Sequence, residues 1–221
     1  MYDNDADRRI DISEPVMSRN DRFAAENRKF LTDRNIYTLN LISSPGAGKT
    51  TVLEVMARFF GPGMAVIEGD VQTRRDAERI ERAGCRAWQI ETGGACHLDA
   101  QAVGNALEHM EMEDGTVRLL AIENVGNLIC PSGYFLGEDM RIGLLSIPEG
   151  DDKVLKYPSL FSTVDVLLIN KMDLVPHLDF DVDRVVEECR SLNPDVTVFT
   201  VSARTGEGME EFCGFVESNI S

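Results

Sequence analysis

The sequence is short of positive charge. Its 22 lysines and arginines face 38 aspartates and glutamates, a formal net charge of −16 at pH 7. That balance argues against nonspecific binding to nucleic acid or to an anionic membrane, since both are polyanions. It names no partner, because an acidic surface also simply keeps a protein in solution. Long apolar runs are missing as well. The longest candidate, residues 164–170, is a strand's length and far too short to cross a bilayer. Residues 1–11 are polar and acidic where a secretory signal would be basic and then apolar. Cysteine is sparse: Cys85, Cys96, Cys130, Cys189 and Cys213 are odd in number and widely spaced. This argues against a disulfide framework and for a reducing cytoplasm. Internal repeats, low-complexity tracts and strong linkers are absent too.

What is present is a globular balance, 43% hydrophobic and 27% charged over 221 residues. One α/β domain of this size can bury a sizeable core. Residues 1–35 stand apart. Pro15 separates a polar start from a stretch where Phe23, Phe30 and Leu31 recur at helical spacing. This predicts a tail and then an amphipathic helix, packed on the main domain or on a second subunit. Residues 36–221 alternate strand and helix. Strands are expected over 36–42, 64–67, 87–90, 117–122, 142–147, 164–169 and 196–201, and helices over 48–60, 71–83 and 97–112. Two late helices carry apolar stripes, Val182, Val185, Val186, Cys189, Leu192 and then Met209, Phe212, Cys213, Val216. The pattern predicts an α/β fold, a mostly parallel sheet flanked by helices, with active loops at the carboxyl ends of the strands.

The sharpest motif, Ser43-Ser44-Pro45-Gly46-Ala47-Gly48-Lys49-Thr50-Thr51, joins the first strand to the first helix of that domain. This is the context of a P-loop. Gly46, Ala47 and Gly48 let backbone N–H groups curl around phosphates, and the helix N-terminus adds positive dipole. Lys49 would reach the β- and γ-phosphates and Thr50 would ligate Mg²⁺, with Thr51 beside it. The usual first glycine is replaced by Ser43.

Asn170-Lys171-Met172-Asp173 follows the 164–169 strand and has the N-K-x-D pattern of GTPases. The Asp173 carboxylate can accept from guanine N1–H and from the exocyclic amine, a donor pair that adenine lacks. The stem of Lys171 can lie over the purine face, with Asn170 bracing the loop. Ser202-Ala203-Arg204, after the last strand, matches the S-A-[KR] loop that meets guanine O6. GTP is the expected nucleotide. Asp70 ends the second strand, where it would hold Mg²⁺ or its water, or else cap the next helix. Glu123, at the end of the 117–122 strand, is either a switch residue placed for catalysis or a structural group. Asn127 stands where some GTPases place a water-positioning glutamine.

Cys189 and Cys213 lie on apolar stripes and read as core, and Cys85 as structural in a turn. Cys96 and His97 follow Gly93-Gly94-Ala95 just ahead of the expected 97–112 helix, whose N-terminus would favour a thiolate. With Cys130 they form a set suited to Zn²⁺ or Ni²⁺, though the spacing alone is a weak pattern.

Five strings together resemble one family. They are Ser43–Thr51, Glu68-Gly69-Asp70-Val71, Gly93–Ala100 with its Cys96-His97-Leu98-Asp99, Glu123-Asn124-Val125-Gly126-Asn127-Leu128-Ile129-Cys130-Pro131, and Asn170–Asp173. The chain resembles the HypB family of hydrogenase nickel-incorporation GTPases from about residue 36 to its end. The resemblance implies a dimeric SIMIBI-class P-loop GTPase, with GTP promoting a homodimer. It implies a Ni²⁺ or Zn²⁺ site of Cys96, His97 and Cys130 at the subunit interface, and partners among hydrogenase maturation proteins and the hydrogenase large subunit. Some members carry an N-terminal cysteine motif or histidine-rich stretch for nickel, and residues 1–35 hold neither residue type. Other readings are a GTPase metallochaperone for another nickel or cobalamin enzyme, and a GTP-binding switch with structural zinc. A small-molecule kinase on the same fold is disfavoured by N-K-x-D.

Overall fold

The computed structural model describes residues 16–70, 75–110, 112 and 115–220. The expected N-terminal tail and residues 71–74 of the expected second helix of the main domain lie outside the described residues. Seven strands form one sheet: β1 Tyr37–Ser43, β2 Met64–Asp70, β3 Arg86–Glu91, β4 Leu119–Glu123, β5 Met140–Ser146, β6 Val166–Asn170 and β7 Thr197–Thr200. Their order is β3-β2-β4-β1-β5-β6-β7, and every neighbouring pair is parallel. The central strands are apolar runs because helices cover both faces. Every residue of β5 and β6 is buried, whereas the edge strands β3 and β7 are half-buried.

Helices α1 Val16–Thr32, α2 Lys49–Phe60, α3 Arg75–Arg82, α4 Ala100–His109, α5 Lys153–Lys156, α6 Pro158–Phe161, α7 Val182–Leu192 and α8 Met209–Asn219 fill the connections. Leu53 and Met56 of α2, Ile80 of α3 and Phe212 and Val216 of α8 pack on Leu39, Leu41 and Val66. Leu31 of α1 with Val103 and Leu107 of α4 packs on Ile67, Leu120 and Ile122. A third cluster joins Phe161, Val185 and Cys189 to Leu145, Leu167 and Ile169. The apolar stripes of α7 and α8 are therefore core, as their spacing implies. Of the two expected sites for the first helix, the structure shows it on the main body, against α4.

The helix expected over 97–112 is shorter. Asp99 is extended and its Oδ1 accepts from the N–H of Ala102 at 2.8 Å, so the helix opens at Ala100. Cys96 and His97 therefore stand in a loop, and the thiol has no helix terminus of its own. The four-residue helices α5 and α6 are too short to show a periodicity in sequence.

The connection from β1 runs to one side of the sheet and the connection from β4 to the other. Neighbouring strands whose crossovers diverge open a crevice at their carboxyl ends. The P-loop and the loop after Glu123 both leave from that crevice.

Beneath it lies a buried ion pair. The Arg141 guanidinium donates to Glu138 Oε1 through Nε at 3.1 Å and Nη2 at 3.0 Å, and both side chains are 2% exposed. Arg141 also donates to the carbonyls of Ser132 at 3.0 Å and Tyr134 at 2.9 Å. Asn40 Nδ2 and the N–H of Leu136 donate to the Glu138 carboxylate. Such a pair persists when its remaining donors and acceptors are filled, as these are. Arg141→Ala leaves the Glu138 charge buried without its partner. Urea unfolding should show a loss of about 3–5 kcal/mol, and an unchanged midpoint would refute the pairing.

Candidate functional site

The phosphate loop is held before any nucleotide arrives. Lys49, 7% exposed, donates from Nζ to Ser43 Oγ at 2.9 Å. The serine in the usual glycine position thus supplies an oxygen that parks the lysine. Gly46 and Gly48 have φ of 78° and 100°, left-handed values that suit residues without Cβ. A Cβ on Gly48 would also lie 2.6 Å from Asn170 Nδ2. A cavity of about 630 Å³ opens above, lined by Gly46, Gly48, Lys49, Thr50 and Thr51 and by Glu68, Glu123 and Arg79.

A second cavity of about 540 Å³ adjoins it, since Gly48, Thr51 and Lys171 line both. Glu54 and Arg58 of α2 with Asn170, Asp173, Leu174, Ala203 and Arg204 complete its wall. Here the two base-reading loops lock onto the P-loop. Asn170 Nδ2 donates to the Ala47 carbonyl at 3.0 Å while its Oδ1 accepts from the Ala203 N–H at 3.1 Å. Lys171 takes a left-handed φ of 65° and its Nζ reaches the Gly46 carbonyl at 2.6 Å. Ser202 Oγ donates to Asp173 Oδ1 at 2.6 Å, which fixes the carboxylate's orientation. All six expected base-site residues are thus brought together, with Arg204 exposed at the rim.

Between β1 and β4, Thr50 Oγ1 donates to Glu123 Oε1 at 3.0 Å. Glu123 thereby joins the hydroxyl expected to ligate Mg²⁺. Asp70 closes β2, and its side chain lies outside the described residues. Asn127 does not face the phosphate cavity as a water-positioning group. Its Oδ1 accepts from the N–H of Ile129 at 2.8 Å and of Cys130 at 3.3 Å, capping the turn Cys130–Gly133.

Cys96, His97 and Cys130 do meet. Their ligand atoms all lie within 4.8 Å of one another, with Cys96 Sγ 3.4 Å from His97 Nδ1. The His97 ring packs on Tyr134 with centroids 4.0 Å apart. Burial pushes the His97 pKa down against the opposing pull of Asp99, which favours the neutral, ligating imidazole. The hydrogen bond with Cys96, then desolvation, holds the Cys130 thiol above its ordinary value. Two thiols and an imidazole so close suit a borderline or soft divalent ion.

The cluster is tied to the nucleotide crevice. Asn124, next to Glu123, accepts on Oδ1 from the Leu98 N–H at 3.0 Å and donates from Nδ2 to Asn40 Oδ1 at 3.3 Å. Leu98 lies so close to Gly69 that a Cβ there would meet Leu98 Cγ at 2.7 Å. Gly126 presses on the P-loop in the same way, since its Cβ would meet Pro45 Cα at 2.9 Å. Sequence reasoning missed Asn40, Asn124 and Arg141 as parts of the site. A polar residue within an otherwise apolar strand was the available signal for Asn40 and Arg141.

Residues 37–200 match the model of the CobW/HypB/UreG nucleotide-binding domain. The chain belongs to this family. It is 50% identical over 212 residues to the hydrogenase maturation factor HypB of Azotobacter chroococcum mcd 1, covering 95% of this chain and 69% of that one. The crystal structure of HypB from Helicobacter pylori in complex with nickel superposes with a TM-score of 0.87 at 45% identity, covering 91% of this chain and 94% of that one. HypB from Archaeoglobus fulgidus gives 0.85 at 34% identity, with 92% and 100% covered. Family membership carries the P-loop nucleotide hydrolase fold and chemistry. No helix of the described residues is long and apolar enough to cross a membrane.

In this CobW/HypB/UreG domain the other three thiols are core. Burial raises Cys85 and Cys189 to about 11 and Cys213 to about 12. Only thiolates react readily with alkylating agents. Iodoacetamide at pH 8 should therefore label the exposed Cys96 first in the native chain and leave the buried Cys85, Cys189 and Cys213 intact. Mass spectrometry checks this, and labelling of Cys213 ahead of Cys96 would contradict the burial.

Proposed function

We propose that the chain is a GTP-hydrolysing nickel metallochaperone that assists nickel insertion during hydrogenase maturation. One observation carries the reading. Three soft or borderline ligands stand together, Cys96 and His97 on a loop that Asn124 fastens at the carboxyl end of β4 beside Glu123 and Thr50, and Cys130 on the turn that follows that strand. The relatives' names, hydrogenase maturation factor HypB, and the nickel complex of the Helicobacter pylori protein support the cargo and the destination. The acceptors would be hydrogenase maturation proteins and the hydrogenase large subunit.

GTP fits the base cavity because Asp173, oriented by Ser202, offers guanine a carboxylate for two N–H donors. Thr50 and Glu123 present hard oxygen donors side by side at the phosphate cavity, a set that fits Mg²⁺, with Asp70 at the end of β2 as a further ligand. Bound there, Mg²⁺ would supply charge neutralisation to the phosphates. Lys49 leaves Ser43 for the γ-phosphate and stabilises charge as the bond to the bridging oxygen breaks. A water oxygen forms the new bond to phosphorus and its proton leaves with inorganic phosphate. Glu123 orients the Thr50 hydroxyl and the water network. Among the described residues no glutamine lines the phosphate cavity, and turnover rises when a second copy or another partner contributes. GTP then repositions the loop after Glu123, promotes a homodimer and shifts the Cys130 turn through Asn127. Hydrolysis releases that constraint and the nickel with it. Zinc binds the same donor set and competes for it.

Asp173→Asn should weaken GTP by roughly 2–4 kcal/mol and shift preference toward xanthine nucleotides, since one acceptor becomes a donor. Calorimetry with GTP, ATP and XTP checks it, and unchanged GTP affinity would remove Asp173 from base reading. Lys49→Ala should fold normally and lose GTP turnover. Phosphate release at the wild-type rate would overturn the assignment of the loop. Nickel titration with GDP and with a non-hydrolysable GTP analogue tests the coupling. Equal affinities in both states would leave a GTP switch with a structural metal.

A further inference from the structure

The metal cluster is built from two arms of chain far apart in sequence. Cys96 and His97 lie just ahead of α4, and Cys130 opens the turn that leads to β5. Helix α1 bridges the two arms. Asn20 accepts on Oδ1 from the Ala100 N–H at 2.9 Å and donates from Nδ2 to the Phe135 carbonyl at 2.8 Å. Asn27, two turns further on, donates from Nδ2 to the Ala100 carbonyl at 2.7 Å and to the Leu136 carbonyl at 2.9 Å. Each carboxamide therefore joins the same residue of the first arm to the second arm. Ala100 follows His97 by three residues and Phe135 follows Cys130 by five.

The contact is close and dry. Asn20 and Asn27 are 5% and 4% exposed. Two glycines make room for the helix, because a Cβ on Gly104 would meet Asn27 Oδ1 at 2.7 Å and one on Gly137 would meet the Ala24 carbonyl at 2.8 Å. Arg28 adds an ion pair to Asp139 at 2.8 Å. Apolar Leu31 and Ala24 already bury the helix. Burying two carboxamides as well carries a desolvation cost that packing alone does not require. What the carboxamides add is direction, since each hydrogen bond fixes a backbone group of one arm relative to the other.

We propose that α1 is a clasp that sets the spacing of the nickel site, with Asn20 and Asn27 as positioning residues. The proposal rests on the reading of Cys96, His97 and Cys130 as ligands. Groups that orient ligands from behind are commonly worth roughly 10–100-fold in metal affinity. Removing either carboxamide frees the arms to drift apart, while the loops after β6 and β7 that close on the P-loop touch neither side chain.

The test uses the full chain with Ni²⁺ and, separately, Zn²⁺, titrated in competition with a chromophoric chelator. Asn20→Leu and Asn27→Asp are compared with Leu31→Ala, which removes apolar packing of the same helix and spares both carboxamides. Asn27→Asp keeps the shape but turns acceptors toward the carbonyls of Ala100 and Leu136. Both asparagine variants are expected to lose about tenfold or more in Ni²⁺ affinity, to shift the nickel–thiolate charge-transfer band, and to bind GDP as the wild type does. Leu31→Ala is expected to lower the melting temperature and leave metal affinity unchanged. Should one asparagine variant fail to fold, the other decides. Wild-type metal affinity in the folded asparagine variants would overturn the clasp. So would a loss in Leu31→Ala as large as theirs, because the helix would then act through stability alone. A wild type that binds neither ion would overturn the ligand assignment, and the clasp with it.

Discussion

The arrangement of the site depends on how closely other backbone and side chains approach residues 45–48. From one side Asn170 sits against Gly48, where no Cβ would fit, and donates to the Ala47 carbonyl. From the other, Gly126 presses on Pro45 at a distance that a side chain would forbid. Residues 45–48 are thus wedged between the loop after β6 and the loop that follows Glu123. A change in one of the three must be felt by the other two, because there is no free volume to absorb it.

The same crowding extends to the metal cluster through polar rather than apolar contacts. Leu98, Asn124, Asn40, Glu138 and Arg141 are joined in turn, and Arg141 ends on the carbonyls of the Cys130 turn. These groups run from the carboxyl end of β4 through the middle of β1 to the amino end of β5, where water is excluded and each hydrogen bond gains strength from its low-dielectric surroundings. A network of this kind has few alternative arrangements. It holds the two arms of the cluster in register with the nucleotide crevice from below, as α1 does from the flank.

The five cysteines divide by environment. Three stand among core side chains and have their thiols raised to about 11 or 12 by burial. Two stand at the mouth of the crevice beside an imidazole. The formal net charge of −16 attracts divalent cations weakly and does not choose between metals.

Much of this was written in local sequence. The apolar runs at 36–42, 164–169 and 196–201 became β1, β6 and β7 within one or two residues, because strands of a parallel sheet covered by helices are rich in apolar, β-branched residues. The P-loop and N-K-x-D were legible because each is a short string whose chemistry is local: glycines for a tight turn, a lysine, a carboxylate. The stripes of α7 and α8 told core cysteines from exposed ones for the same reason. Tertiary structure decided the rest. Only the all-parallel order of the strands brought Cys130 within reach of Cys96 and His97. Only the cap at Asp99 showed that those ligands belong to a loop and not to a helix. Asn20, Asn27 and Asn124 were silent in the sequence, since a carboxamide's role is set by partners more than 20 residues away. Hydrogen bonds between distant segments leave no periodicity to read; they exist once the chain has folded and the arms stand side by side.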